Sequence, residues 1–439
     1  MRDKKSVAVI GGGVSGLVAA WRLLRSGFRV TVFEKSEVLG GLARCVKFSD
    51  TPLEVYYHHF FPSDSHIIRL FEEIGITDGQ IAWNPSKMGY LSNGNIYDFS
   101  TPFSLFFFRP LSFWDKLRFC RATFDLIKKV KKAEDIENVT AQEWISANMG
   151  DAVFEVIWKP LLLQKFGQAF DKVTMAWLWN KMVLRSQAHR DYFREEKLGY
   201  LKGSLEVLFE RLKIKITESG GQIRPGRAVS RVNKKENGFT VVSHGLSEEY
   251  DYVFSSISPD KLDCIADFPM DFRGRLDSFA QLAVICAIVV LKRQLTDYYW
   301  LNIGDNTFPF GLAVEHTNLC DPRDYGCKHV VYLSKYIHAQ DKLFSTPDKE
   351  IEELFLGNLK RINKDFDLNW VEKLMVFRDT SAQPLITRGY SRLKPGYETP
   401  WPGFWWVGAN HIYPQDRGLN HAIMTAEEAV NRFLKTHVS

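Results

Sequence analysis

Ser6-Val-Ala-Val-Ile10 leads into Gly11-Gly12-Gly13-Val14-Ser15-Gly16, an apolar-periodic stretch to Ser26, then Gly27 and Arg29-Val-Thr-Val-Phe33 with Glu34 behind it. A β-rich run, a G-x-G-x-x-G turn, a helix stopped by glycine and a second β-rich run predict a βαβ unit. No other feature narrows the fold as much. Gly11 permits the tight turn, Gly13 lets backbone approach a pyrophosphate, and Gly16 lets helix and strand pack closely. Val14 and Ser15 open the helix, whose N-terminal N–H groups and positive dipole suit an anion. Glu34 ends the second strand, where a carboxylate accepts hydrogen bonds from ribose hydroxyls. With Lys35 next to it, this unit alone leaves NAD and FAD both open.

Further along, residues 67–75 predict a helix and 84–99 short strands around the turn Asn93-Gly94. Residues 113–183 read as mostly helical, with Thr140 and Glu143 spaced as a capping box. A meander with a turn at Asn237-Gly238 is expected over 228–257, and a pair of long apolar strands over 280–301. A charged helix over 347–361, a strand over 404–408 and a last helix over 420–435 complete the pattern, with no internal repeat.

At 439 residues two domains are expected, and 45% apolar with 25% charged residues is ordinary globular composition. The net charge of +5 suits anionic cofactors, substrates or a membrane surface, and points to no nucleic-acid partner. The six cysteines are scattered, with no C-x-x-C pair and no His cluster at zinc spacing, so no metal site is expected and the thiols read as reduced and cytoplasmic. The glycine turn interrupts the apolar start, so it does not read as a secretion signal. The longest other apolar run, residues 279–291, is too short to span a bilayer.

Glu34-Lys-Ser-Glu-Val-Leu-Gly-Gly-Leu-Ala-Arg44 resembles the segment after the βαβ unit in the flavin amine oxidase, phytoene desaturase and protoporphyrinogen oxidase superfamily. The resemblance implies that Gly40, Gly41 and Leu42 bring backbone to the flavin side of FAD, with Arg44 on phosphate and ribitol. Further blocks carry it. Leu198-Gly-Tyr-Leu-Lys-Gly-Ser204 is similar to a glycine loop whose last glycine is replaced here by Ser204. Ala228-Val-Ser-Arg-Val232 resembles the strand whose backbone reads the adenine, expected at Val232. Asp251-Tyr-Val-Phe-Ser-Ser-Ile-Ser-Pro259 looks like the family's D-x-V-I-x-A-x-P strand. Phe404-Trp-Trp-Val-Gly-Ala-Asn410 with Asp416-Arg-Gly-Leu-Asn-His-Ala422 is similar to the C-terminal block over pyrophosphate and flavin, implying contacts from Gly408, Asn410, Gly418 and Leu419. The family's acid is Ala409 here. The implied fold class is α/β: a discontinuous Rossmann-like FAD domain of residues 1–90, 190–265 and 375–439, and a mixed substrate domain of residues 91–189 and 266–374 with a β-sheet and a helical region. No cysteine follows Cys327, so FAD is expected to be non-covalent.

Tyr56-Tyr-His-His-Phe-Phe61 falls where the superfamily passes close to the flavin, and it resembles the His-x-Phe loop of UDP-galactopyranose mutases. His59 and His58 are therefore the expected catalytic residues, as hydrogen-bond donor or general base. Tyr57, Tyr413 and Arg417 are the expected pocket residues, with His411 and Asp416 in the same block. Trp405 and Trp406 read as core. Lys159-Pro-Leu-Leu-Leu-Gln-Lys-Phe-Gly167 resembles a protoporphyrinogen-oxidase signature that shapes the pocket, with Gln164 and Lys165 as candidate lining.

Residues 103–114 are unusually aromatic and precede a lysine- and arginine-rich helix. Such a helix either packs its apolar face inward, leaving a solvated basic face, or sits on anionic lipid. The expected function is an FAD-dependent oxidoreductase (dehydrogenase, desaturase or oxidase) taking a hydride from a small-molecule substrate. That substrate is bulky and hydrophobic or amphipathic, isoprenoid- or tetrapyrrole-like, or an amine. The alternatives are a redox-neutral sugar-nucleotide mutase and a non-catalytic prenyl carrier. The expected location is cytoplasmic, with peripheral contact to the inner face of the membrane; the oligomeric state is open.

Overall fold

The computed structural model describes residues 4–48, 50–188 and 196–437, side chains excepted at 185–188. Strand β1 is Ser6–Ile10, helix α1 is Val14–Arg25 and strand β2 is Arg29–Phe33. β1 is central in a five-stranded parallel sheet. β2 and then Gln222–Arg224 lie on one side, Tyr252–Ser255 and then Phe404–Trp406 on the other. Because β1 is covered on both faces, it reads as a continuous apolar run rather than an alternating one. Val7 and Val9 join the cluster built from α1 and the last helix, Leu419–His437, with Leu17, Ile423 and Phe433. Ala8 and Ile10 join the opposite cluster, with Phe239, Val241 and Leu262. Leu17 and Leu23 are wholly buried, each contributing about 2 kcal/mol of apolar burial.

The meander is present as the antiparallel strands Val229–Lys235, Gly238–Ser243 and Leu246–Tyr250, but its continuation, Tyr252–Ser255, leaves it to pair with β1. Trp405 and Trp406 are both buried.

A second, seven-stranded sheet runs in the order Val371–Pro384, Gln281–Leu291, His329–Ile337, Leu312–Glu315, Trp300–Ile303, Met88–Ser92, Asn95–Asp98. The strand pair expected over 280–301 is corrected. Gln281–Leu291 and Trp300–Ile303 are separated by two strands, because an apolar run reports burial and not its neighbours. Val371–Pro384 was not foreseen. It runs through residue 375, so the expected division at 374/375 falls inside a strand, as does that at 90/91 within Met88–Ser92. The division expected at 189/190 lies outside the described residues.

Helices Phe113–Lys129, Ala141–Asn148, Lys159–Phe166 and Met175–Ala188 form a layer beside this sheet. The capping box holds: the Glu143 N–H donates to Thr140 Oγ1 at 3.2 Å, and the Thr140 N–H donates to Glu143 Oε2 at 3.0 Å. Such a cap is worth about 1 kcal/mol.

Candidate functional site

Four glycines meet at the start of α1. The Gly40 N–H donates to the Gly12 carbonyl at 2.9 Å, and Gly13 bridges Gly40 in a parallel sense. A Cβ at Gly13 would meet nothing nearer than Gly41 Cα at 3.8 Å, so the space before it is open. A Cβ at Gly16 would stand 2.0 Å from the Gly11 carbonyl oxygen, which is why helix and strand need glycine there. α1 starts at Gly13 with no side-chain cap and no acid in its first turn, leaving its N–H groups to an outside acceptor. An uncapped helix start facing a Cβ-free cradle fits the pyrophosphate of FAD. Ser15 turns its hydroxyl to the Ala422 carbonyl, tying α1 to the last helix at 3.1 Å.

Glu34 is buried, accepting from the Gly12 N–H at 2.6 Å and from the Ser36 N–H at 2.8 Å. It therefore shapes the turn. Lys35 is exposed. Arg44 donates to the Gly41 carbonyl at 3.0 Å and pairs with Asp379 at 3.7 Å, linking the glycine turn to strand Val371–Pro384.

That strand leads to a second cluster. Arg417 donates through Nε to Gln383 Oε1 at 2.9 Å and through Nη2 to the Tyr336 hydroxyl at 2.5 Å. Beside it, Asp416 receives Lys165 at 2.8 Å, Lys181 at 2.9 Å and the Trp177 indole N–H at 3.3 Å. Burial alone would raise the Asp416 pKa, but the two ammonium groups outweigh it and hold the carboxyl well below its usual range. Two ammonium groups thus meet one carboxylate, the Arg417 backbone N–H donates to it at 3.1 Å, and the Arg417 charge bears on Tyr57 and His58.

His58 Nδ1 lies 2.7 Å from the Tyr56 carbonyl oxygen. A carbonyl only accepts, so Nδ1 carries the proton and Nε2 is the acceptor. Burial lowers the His58 pKa to about 4; the Tyr56 carbonyl opposes the shift and the Arg417 charge adds to it. His59 Nδ1 lies 2.9 Å from the Tyr299 hydroxyl, edge-on to Phe61 and Trp300. Tyr57 packs edge-on against Trp300 and Tyr332.

Other expected residues have different neighbours. The Tyr413 hydroxyl donates to Glu137 at 2.6 Å and its ring lies against Tyr390. His411 is fully buried, stacked on Tyr397 and bonded to the Gly396 carbonyl. The Asn410 side chain is taken by Gln281 and Tyr390. Val232 is a buried ladder residue opposite Val241. The backbone beside Glu34 belongs to Arg224 and Arg227, at 3.1 and 2.7 Å. Gly408 packs near Ile257; Gly418 and Leu419 open the last helix, where the Gly418 carbonyl accepts the Ala422 N–H. Ser204 keeps a left-handed φ of +70° in place of the family's glycine.

Sequence reasoning missed Tyr336, Gln383, Trp177 and Lys181. The only available signal was the alternation Tyr332, Ser334, Tyr336 along one strand face.

The chain matches the family described as flavin containing amine oxidoreductase over residues 14–434 and belongs to it. Membership implies a flavin cofactor. Amine oxidase A of Sus scrofa is 29% identical over 153 residues, 35% of this chain and 29% of that enzyme. Coproporphyrinogen III oxidase of Staphylococcus aureus is 25% identical over 256 residues, 56% of this chain and 51% of that protein. The chain thus matches under a third of the first relative's length and about half of the second's. A crystal structure provisionally assigned as a protoporphyrinogen oxidase from Exiguobacterium superposes with a TM-score of 0.78 at 17% identity, covering 100% of both chains, and shares the fold. Among the described residues no helix is long and apolar enough to cross a membrane, and no group of three His, Cys, Asp or Glu gathers as for a metal.

Proposed function

We propose that this chain is an FAD-dependent oxidoreductase that holds its cofactor non-covalently and acts on a bulky, largely apolar substrate bearing a carboxylate or phosphate. The observation that carries the reading is the Gly13–Gly40–Gly41 cradle, tied by Arg44 to Asp379 on strand Val371–Pro384, whose Gln383 in turn holds Arg417 against Tyr336. Gly13, Val14 and Ser15 receive the pyrophosphate, Glu34 the ribose, Gly40 to Leu42 and Arg44 the ribitol side. Gly408, Gly418 and Leu419 close the far end. Val229, two residues from the Arg227–Glu34 contact, takes the adenine edge first expected of Val232. The flavin supplies the two-electron acceptor.

The chain's own residues position the substrate and exclude water. His58 stays neutral through the physiological range and offers Nε2 as an acceptor to a substrate N–H or O–H. Lys165, Lys181 and Arg417 outnumber Asp416, which disfavours an ammonium group and favours an anionic one. The aromatic walls at Tyr57, Trp300 and Tyr336 suit an apolar body.

The test is the flavin spectrum of anaerobic enzyme titrated with tetrapyrrole carboxylates, isoprenoid phosphates, primary amines and UDP-sugars. Bleaching by an anionic hydrophobic compound, with a higher KM in Lys181→Met, is expected; bleaching by amines alone overturns the substrate class. The same cationic cluster beside His58 favours one second reading, a redox-neutral sugar-nucleotide mutase. Turnover of a UDP-sugar by the reduced enzyme without an oxidant would establish that reading and overturn the first.

A further inference from the structure

Helix Phe113–Lys129 carries large apolar side chains on its solvent side as well as its inner one. Inward it buries Ala122 and Leu126 and half-buries Phe119, stacked on Trp158. Phe113, Leu117 and Phe124 recur at helical spacing on the opposite, outward side, with Trp114 on its flank. Trp114 is 71% and Phe124 65% exposed. The preceding turn of helix, Pro102–Phe107, adds Phe106 and Phe107 to the same surface. It is joined to the helix where Lys116 Nζ donates to the Phe106 carbonyl at 2.9 Å. Of fifteen large apolar side chains exposed among the described residues, seven lie between Phe103 and Phe124. A patch of this kind marks an interaction surface rather than ordinary scatter.

Charge decides what covers it. Between Arg109 and Lys132 the sequence carries eight basic and two acidic side chains, more net positive charge than the +5 of the whole chain. Lys128 sits over the Phe124 ring at 5.7 Å, and Lys129, Lys131 and Lys132 follow at the helix end, exposed. Exposed aromatic rings bordered by lysine and arginine match a bilayer interface, with apolar groups below and anionic headgroups above. A protein partner of opposite charge would leave the aromatic rings without so extended an apolar counterpart.

We propose that the chain docks on anionic lipid surfaces through residues 103–132, the aromatic side chains entering the interface and the basic ones meeting the headgroups. Helix Phe113–Lys129 packs on Met175–Ala188, which carries Trp177 and Lys181 of the cationic cluster. Docking itself does not depend on the redox reading.

The test is co-sedimentation of the FAD-loaded protein with phosphatidylcholine vesicles, with and without phosphatidylglycerol. Binding to the anionic vesicles is expected, at least tenfold weaker on the neutral ones. Phe107→Ser with Trp114→Ser should lower the partition coefficient at least tenfold, and Lys128→Gln, Lys129→Gln and Lys131→Gln together about tenfold. Unchanged FAD content and melting temperature verify that both variants are folded. Failure of the parent protein to sediment with anionic vesicles overturns the proposal, as does equal sedimentation of both variants. So does a dimer in sedimentation velocity that the Phe107/Trp114 variant converts to monomer, which would make the patch a self-interface.

Discussion

At Gly16 an added Cβ collides with backbone 2.0 Å away, whereas at Gly13 the nearest atom is 3.8 Å away across open space. The two glycines therefore fail differently. Gly16→Val should cost about 3 kcal/mol or more, because backbone cannot yield as a side chain can. Gly13→Val should leave the urea midpoint of the apoprotein unchanged while weakening FAD binding at least tenfold, as read by fluorescence titration. His58 makes a second prediction at this scale. Its folded pKa, near 4, lies below the ordinary 6.5, so the neutral ring prevails above about pH 5. The rate of flavin reduction should then show no limb between pH 6 and 8 that disappears in His58→Gln. Such a limb would mean that the ring titrates in its working state. The glycines were legible in the sequence because turn chemistry is local. Which stretch of backbone runs beside Glu34 was not legible, because a period-two strand shows only which residues share a face; it is that of Arg224 and Arg227.

Between elements, the clasp at Asp416 joins helices Lys159–Phe166 and Met175–Ala188 to the segment before the last helix. Asp416→Asn leaves two ammonium groups, 21% and 36% exposed, facing each other and Arg417. Partial solvent screening limits the cost to about 1–3 kcal/mol, measured by urea denaturation at saturating FAD. Adding Lys181→Met should recover part of it. Glu54 is a buried clasp without a cation: it is wholly buried and accepts from the Tyr200 hydroxyl at 2.6 Å and the Leu205 N–H at 2.7 Å. Glu54→Gln puts an amide N–H against one of those donors and should cost about 1–3 kcal/mol. Helix positions and the Thr140 cap were readable from periodicity. The long strand Val371–Pro384 was not, because its outer half is only partly buried and lacks a clean alternation.

For the whole molecule, the cradle and the cation cluster lie on separate sheets, so cofactor binding should stabilise both together. Raising free FAD to about 100 times its Kd should add about 2.7 kcal/mol to unfolding and raise the melting temperature; a midpoint unmoved by FAD would contradict the cradle. The βαβ unit, the dinucleotide turn and the family resemblance are legible in the chain alone, because strand, turn and helix signals act over a few neighbouring residues. That Arg417 meets Tyr336 and Gln383, 81 and 34 residues away, and that the aromatic stripe of helix Phe113–Lys129 faces outward, came only with packing. Those outcomes depend on which surfaces pack together, and periodicity gives a helix an apolar side without saying what will cover it.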